Sequence, residues 1–256
     1  MGIFLYIIIF LIGTFFGSFF TLAVYRIPRK EDILIKHSYC PNCNSRLGFF
    51  DLFPILSYLL LGGKCRYCKS KIRPRYLILE ILSGITFVIL AYSTKINLLD
   101  FNSIINTSSL LLYVAILFII AGIDKENIKI EKNVVFFGYF IEVLYIIYQY
   151  TLGNGNVYQY VIYLILFIVL IFLSNKSIKN NEIEKYKIQN LYLALYVLIY
   201  SGWTICALTL VLGFIIMLIY KKILGQTRRE QPIGFYLSIS NIVIIAISNI
   251  VINYII

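Results

Sequence analysis

Residues 37–80, HSYCPNCNSRLGFFDLFPILSYLLLGGKCRYCKSKIRPRYLILE, contain two cysteine pairs separated by 21 residues. The first pair is Cys40-Pro41-Asn42-Cys43 and the second is Cys65-Arg66-Tyr67-Cys68. A C-x-x-C pair can direct two thiolates from one tight turn toward a common point, and two such turns complete the tetrahedral four-sulfur shell that Zn²⁺ prefers. The spacing therefore predicts a structural zinc site whose ligands are Cys40, Cys43, Cys65 and Cys68.

The rest of the chain is strongly apolar. Of its 256 residues, 60% are hydrophobic and only 14% are charged. Soluble domains have about half apolar and about a quarter charged residues, so this composition is typical of a polytopic membrane protein. We expect an all-α fold of about eight transmembrane helices, with a small zinc-knuckle insert between the first and second helices.

Eight apolar runs are long enough to cross about 30 Å of hydrocarbon. They divide the chain into a first helix over residues 1–25, a zinc-binding insert over 26–75 and a seven-helix membrane domain over 76–256. The sixth and seventh runs are separated only by Ser201-Gly202. The runs are Ile3–Tyr25, Tyr76–Tyr92, Ile104–Ile123, Val134–Tyr150, Val157–Leu173, Leu191–Tyr200 with its flanks, Trp203–Tyr220 and Ile233–Ile256.

The basic residues predict the orientation of these runs. Of the 23 Lys and Arg residues, 22 lie on the side of the cysteine insert, and Lys95 alone lies on the other side. Loops rich in Lys and Arg stay in the cytoplasm, so we expect a cytoplasmic insert and both termini outside. The net charge of +11 is then explained by topology and by attraction to lipid headgroups. It does not predict a nucleic-acid partner.

A cytoplasmic insert also bears on the state of the cysteines. Disulfides are rare in a reducing compartment, which leaves a metal site or four unligated thiols. A bound metal would be structural, because four thiolates leave no open position for a substrate. His37 is the only histidine, and the full shell does not need it as a ligand. Cys206 falls within an apolar run and is interpreted as a small apolar side chain.

An ordered series of residues from Gly17 to Glu80 resembles the bacterial type IV prepilin peptidases. The series is Gly17-Ser18-Phe19, Tyr25-Arg26-Ile27-Pro28-Arg29, the two cysteine pairs enclosing Asp51–Tyr58, Arg73-Pro74-Arg75-Tyr76 and Glu80. The resemblance implies an aspartic endopeptidase of the bacterial inner membrane. Such an enzyme cuts the leader peptide from type IV prepilins or pseudopilins at the cytoplasmic face. Many members also methylate the new N-terminus with S-adenosylmethionine, and this cofactor is implied here by the resemblance alone.

Asp124 is the carboxylate whose position in the chain is most unusual. It follows Ala121-Gly122-Ile123 at the end of an apolar run, where we expect water and a substrate chain to reach it. Ionisable residues at membrane depth are costly and point to function. An interfacial carboxylate without a catalytic role is the alternative. The resemblance places the first catalytic aspartate of the family at Asp124.

The second family aspartate lies in a Gly-x-Gly-Asp motif, and counting back from Gly202-Trp203 places it at Asn190. Aspartic proteolysis needs two carboxylates that share a proton, and an amide cannot ionise. Glu184 lies six residues upstream and is a candidate substitute. Three functions therefore stay open: a peptidase with an altered catalytic pair, a proteolytically inactive member that binds or methylates prepilin, and a non-enzymatic membrane scaffold.

Overall fold

The computed structural model describes residues 2–33, 37–153, 161–162, 165–166, 168–169, 182–224 and 231–255, with the backbone only at 182–185 and 224. Six helices in these ranges are long and apolar enough to cross a membrane. The regular elements are all helical, which confirms the expected all-α polytopic class. The predicted count of eight spans is not confirmed, because the fifth, Val157–Leu173, lies largely outside the described residues.

Seven α-helices are described, and the chain forms two compact units, residues 1–98 and 99–256. The first unit holds three of the helices and two short 3₁₀ turns at Ile27–Arg29 and Phe49–Asp51. The helices are α1 (Gly2–Arg26), α2 (Leu56–Leu60), α3 (Arg75–Ser93), α4 (Phe101–Asn127), α5 (Lys132–Thr151), α6 (Glu182–Leu224) and α7 (Ile233–Ile250), which continues as a π-helical turn, Val251–Ile255.

Small residues hold α1 and α3 together in the first unit. A methyl group added at Gly17 would lie 2.1 Å from Ser83 Oγ, and one added at Gly13 would lie 2.8 Å from the Cα of Gly84. The Ser83 hydroxyl donates to the carbonyl of Gly13 over 2.7 Å. Gly13 meets residue 84 and Gly17 meets Glu80, so the two helices run antiparallel. Small residues allow this close backbone approach. Inside a bilayer such packing helps to hold helices together, because lipid tails are as apolar as the side chains and burying apolar surface between helices gives little gain.

Arg26 anchors the insert to the end of α1. Its side chain is 3% exposed, and its two terminal nitrogens donate to the carbonyls of Asp32 at 2.9 Å and His37 at 3.0 Å. The planar fork of a guanidinium suits two acceptors at once. Arg26 therefore fixes the path by which the chain leaves the helix and enters the cysteine-bearing region.

In the second unit, α4 packs against α5, α6 and α7. Tyr113 of α4 stacks on Tyr200 with a centroid distance of 3.9 Å, and its hydroxyl donates to Asn241 of α7 over 2.7 Å. The Asn241 amide in turn donates to Thr209 over 3.1 Å. Tyr113, Asn241 and Thr209 are buried, so their polar side-chain atoms satisfy one another between apolar surfaces.

The segment α6 is broken at Gly202. The backbone of Gly202 has φ 77° and ψ 175°, a conformation that is open essentially only to glycine. The Sγ atom of Cys206 lies 4.0 Å from the carbonyl oxygen of Ala194. These residues would be about 18 Å apart along a straight helix, so the chain folds back at Gly202. The break falls within the Ser201-Gly202 pair where the sequence placed the boundary between two spans.

Candidate functional site

The four cysteine sulfurs of the first unit converge on one point. The Sγ atoms of Cys40, Cys43, Cys65 and Cys68 all lie within 4.8 Å of one another, and those of Cys40 and Cys68 are 3.9 Å apart. A tetrahedral shell with metal–sulfur bonds of about 2.3 Å has sulfurs about 3.8 Å apart. The cluster thus has the dimensions of a four-thiolate metal site and fits zinc.

The two cysteine pairs are held by the same local structure. In each, the N–H of the first cysteine donates to the serine five residues later, Ser45 or Ser70, at 3.0 and 2.9 Å. The residues after the second cysteines, Asn44 and Lys69, have φ values of 57° and 58°, which allow the chain to turn back. These two turns bring the sulfurs together.

Ser70 favours the thiolate form at one of these positions. Its hydroxyl oxygen lies 3.1 Å from Cys68 Sγ. Hydrogen bonding by this hydroxyl and, to a smaller extent, by the Ser70 backbone N–H lowers the pKa of Cys68 to about 6. The thiolate is the form that binds metals. A bound zinc would cross-link the two turns. It would be held by four negatively charged sulfurs, those of Cys40, Cys43, Cys65 and Cys68.

Glu80 of α3 contacts the chain between the two cysteine pairs. Its side chain is 9% exposed, and Oε2 accepts a hydrogen bond of 2.8 Å from the N–H of Ile55. Ile55 has φ 63°, an uncommon value for a β-branched residue. Glu80 therefore holds a strained turn just before α2. The sequence identified Glu80 only as a member of the ordered series of matching residues, and the structure shows which part of the chain it contacts.

Asp124 lies one turn before the end of α4, and its carboxylate is enclosed in the second unit. Its side chain is 0% exposed. Oδ1 accepts a hydrogen bond of 2.8 Å from the Tyr186 hydroxyl, and Oδ2 accepts one of 2.9 Å from the backbone N–H of Phe235. Gly234 leaves room for the carboxylate, since an added methyl group would lie 3.1 Å from Oδ2.

The Asp124 carboxylate caps the N-terminus of α7. The N-cap residue of that helix, Pro232, provides no side-chain cap. Unsatisfied N–H groups and the helix dipole make a helix N-terminus a favourable place for a negative charge. Asp124 thus has a structural role whatever its chemistry. The expectation that water reaches this carboxylate directly is not met, because Tyr186 and the α7 backbone cover both of its oxygens.

Asn190 and Glu184 both lie on the N-terminal arm of α6. The Asn190 amide donates to the carbonyl of Tyr186 over 2.9 Å, while its Oδ1 is buried without a hydrogen-bond partner. The backbone of Glu184 is helical, but its side chain lies outside the described residues. No second carboxylate is placed beside Asp124 among the side chains that the structure describes.

Tyr186 and the N–H of Phe235 are the functional groups that sequence reasoning missed. The Tyr186 hydroxyl also accepts from the N–H of Ile233 over 2.9 Å and lies 3.3 Å from the carbonyl of Gln231. It therefore joins α4, α6 and the start of α7 at one point. The chain has 22 tyrosines, and nothing in the local sequence distinguishes this one.

Comparisons with known proteins find one matching family model and several curated relatives. A family model described as the bacterial peptidase A24 N-terminal domain matches residues 11–94. The prepilin leader peptidase/N-methyltransferase of Vibrio cholerae is 39% identical over 98 residues, or 35% of this chain and 37% of that protein. Its Bacillus subtilis counterpart is 30% identical over 130 residues, or 51% of this chain and 50% of that protein. No solved structure matches.

These matches span half or less of the length of the relatives. The family model includes both cysteine pairs and Glu80, whereas Asp124 and Asn190 lie beyond it. The family-model match therefore falls on the first unit, which also contains the ordered residues that carry the resemblance in the sequence. Over residues 11–94 the chain is similar to the N-terminal domain of bacterial A24 peptidases, and parts of it are similar to prepilin leader peptidases.

Proposed function

We propose that this chain is a membrane-embedded endopeptidase that removes the leader from type IV prepilins or pseudopilins at the cytoplasmic face. The observation that carries the proposal is the Asp124 carboxylate, held at the end of a membrane-length helix by two hydrogen-bond donors. The similarity to proteins named prepilin leader peptidase/N-methyltransferase suggests the substrate class. The concentration of basic residues supports a cytoplasmic position for both the cysteine insert and Asp124, with the termini outside.

In this proposal Asp124 acts as the general base. It takes a proton from a water molecule whose oxygen attacks the scissile carbonyl carbon, and a second acid gives a proton to the carbonyl oxygen. The tetrahedral intermediate then collapses: the C–N bond breaks, the departing amine takes the proton from Asp124, and the second acid takes back the hydroxyl proton. Asn190 cannot supply that proton, because an amide does not ionise. Glu184, two residues before Tyr186 on the same helical arm, is the candidate for the second acid. Substrate must also displace Tyr186 or the start of α7, since both cover the carboxylate.

A second candidate function is prepilin binding without cleavage. Two points favour it: Asp124 is fully enclosed, and residue 190, where the resemblance places the second aspartate, is an asparagine. A scaffold that uses the cysteine cluster to bind an assembly partner is less well supported, because the family resemblance extends beyond the cysteines to Gly17 and Glu80.

The cysteine cluster is proposed to hold structural zinc. S-adenosylmethionine, implied by the methyltransferase half of the relatives' name, has no comparable support. Among the described residues, every buried side-chain oxygen or nitrogen without a hydrogen-bond partner lies in the second unit. We derive no step that uses this cofactor.

The proposal is tested by cleavage of a cognate prepilin in liposomes. The unchanged chain is compared with Asp124→Ala, Asn190→Asp and a control, Asp100→Asn, which changes an exposed acid at the other end of α4. We expect cleavage by the unchanged chain and the control, and none by Asp124→Ala. Cleavage by Asn190→Asp alone would refute the peptidase proposal for the natural chain. Prepilin capture by that inactive natural chain would then support the binding function.

A further inference from the structure

The segment between the cysteine pairs is apolar although the insert around it is basic. Residues 49–61, FFDLFPILSYLLL, contain a single charged side chain, that of Asp51. We call this stretch the 49–61 segment. Its large apolar side chains are mostly exposed: Phe50 is 77%, Leu59 60% and Leu60 85% exposed. Such a continuous apolar surface marks a contact with a protein or a membrane.

One ring contact shows how deep this segment lies. Phe53 packs edge-on against Phe15 of α1, with a centroid distance of 5.4 Å. Phe15 lies 11 residues before Arg26, or about 16 Å along the helix at 1.5 Å per residue. The 25 residues of α1 span about 37 Å, whereas the hydrocarbon is about 30 Å thick. For any placement of α1 across that thickness, Phe15 lies about 10–16 Å inside the boundary on the Arg26 side.

A second contact, made with the other helix of the unit, gives the same result. Ile55 donates its N–H to Glu80, which lies five residues, or about 8 Å, inside the start of α3 at Arg75. Glu80 is also level with Gly17 of α1. The segment thus folds back along both helices from their ends instead of extending away from them.

The backbone of the segment is suited to a low-dielectric environment. Non-helical backbone at membrane depth must find partners within the protein. Residue 54 is a proline and has no N–H, and the N–H of Ile55 is taken by Glu80. The N–H groups of Ser57, Leu59 and Leu61 donate to the carbonyls of Phe53, Ile55 and Ser57 at 3.0 Å.

The single charge of the segment is neutralised at its edge. Asp51 accepts hydrogen bonds from Arg66 at 2.6 Å and from the N–H of Gly48 at 3.1 Å, and its side chain is 6% exposed. Arg66 is half exposed and has a long apolar stem, so its guanidinium can reach the headgroup region while Asp51 lies closer to the bilayer interior.

We propose that the 49–61 segment is inserted into the bilayer as a short re-entrant element. Lipid covers the exposed surface of the segment. Acyl chains contact Phe50, Leu56 and Leu60, and anionic headgroups contact the surrounding Lys and Arg side chains. Phe53 and Ile55 attach the segment to α1 and α3, and the segment continues the lipid-facing surface of these two helices. The metal cluster at its base then lies at the membrane surface.

The test uses the full chain in liposomes with a single tryptophan reporter. Trp203, the only natural tryptophan, is first replaced by phenylalanine. Phe50→Trp reports on the segment, and Tyr67→Trp, between the second pair of cysteines and 53% exposed, is the matched control. Fluorescence is quenched from the lipid side by brominated acyl chains and from the water side by iodide. Leu60→Trp serves as a second reporter if Phe50→Trp does not fold.

Compared with tryptophan at position 67, we expect tryptophan at position 50 or 60 to emit at shorter wavelength. Brominated lipid should quench it at least about twofold more, because an inserted apolar side chain lies among the acyl chains. Iodide should show the reverse order. Equal iodide quenching at all positions would overturn the proposal. So would reporters that become protected only when a prepilin is added, because that result would identify a protein-binding surface instead.

Discussion

The hydrogen bond between Tyr186 and Asp124 gives the sharpest test of the second unit. The change Tyr186→Phe removes only the hydroxyl, which donates to Asp124 over 2.8 Å and accepts from the N–H of Ile233 over 2.9 Å. A hydrogen bond to a charged group contributes about 1.5–3 kcal/mol, and a buried group left without a partner costs about 1–3 kcal/mol. We therefore expect a loss of about 2–4 kcal/mol in the free energy of unfolding.

The measurement is reversible unfolding in mixed micelles, followed by the fluorescence of Trp203, which lies next to the Gly202 break in the same unit. Tyr150→Phe is the control, because its side chain is 67% exposed and the loss of an exposed hydroxyl should change stability by about 0.5 kcal/mol or less. A double-mutant cycle of Tyr186→Phe with Asp124→Ala should give a coupling energy of about 1.5–3 kcal/mol.

A coupling energy below about 0.5 kcal/mol would refute this reasoning, because two side chains that share a charge-assisted hydrogen bond cannot act independently. The Asp124 carboxylate would then be free of Tyr186 in the membrane. Prepilin cleavage by Tyr186→Phe separates the remaining roles: a cover over Asp124 predicts faster cleavage by this variant, whereas a partner that orients the carboxylate predicts slower cleavage.

Two further predictions concern the first unit. Purified chain should carry about one zinc per molecule by elemental analysis, and Cys68→Ser should lose it whereas Cys206→Ser should not, because tetrahedral coordination needs all four thiolates of the cluster. Retention of zinc by Cys68→Ser would contradict the four-sulfur site. Gly17→Ala should lower stability by about 1–3 kcal/mol or more, because its methyl group would lie 2.8 Å from the backbone of α3, whereas Gly48→Ala has 3.6 Å of clearance and should be nearly neutral. Equal unfolding midpoints for these two variants would show that α1 and α3 do not pack as described.

The local signals in the sequence were sufficient for the class of protein and for the cysteine cluster. Apolar runs report directly on membrane crossing because each must span a fixed thickness of hydrocarbon. The C-x-x-C pairs predicted the cluster because each pair is a self-contained turn, and the structure brings their sulfurs within 4.8 Å. Ser201-Gly202 marked the break in α6 because the conformation there is open essentially only to glycine.

Other features were not visible in the sequence because they join residues far apart in the chain. Tyr186 is 62 residues from Asp124, and Phe235 is 111 residues from it. Both contacts depend on how α4, α6 and α7 pack. The sequence predicted an accessible carboxylate at the end of a span, whereas packing encloses it against the start of another helix.

The sequence alone indicated an all-helical membrane protein with a four-cysteine cluster and an N-terminal part that resembles the prepilin peptidases, because composition, spacing and ordered motifs are properties of neighbouring residues. Only the tertiary structure decided what surrounds Asp124 and which residues of α1 and α3 the 49–61 segment contacts. Burial and hydrogen-bond partners are set by contacts between distant elements, and the linear pattern of residues does not encode those contacts directly.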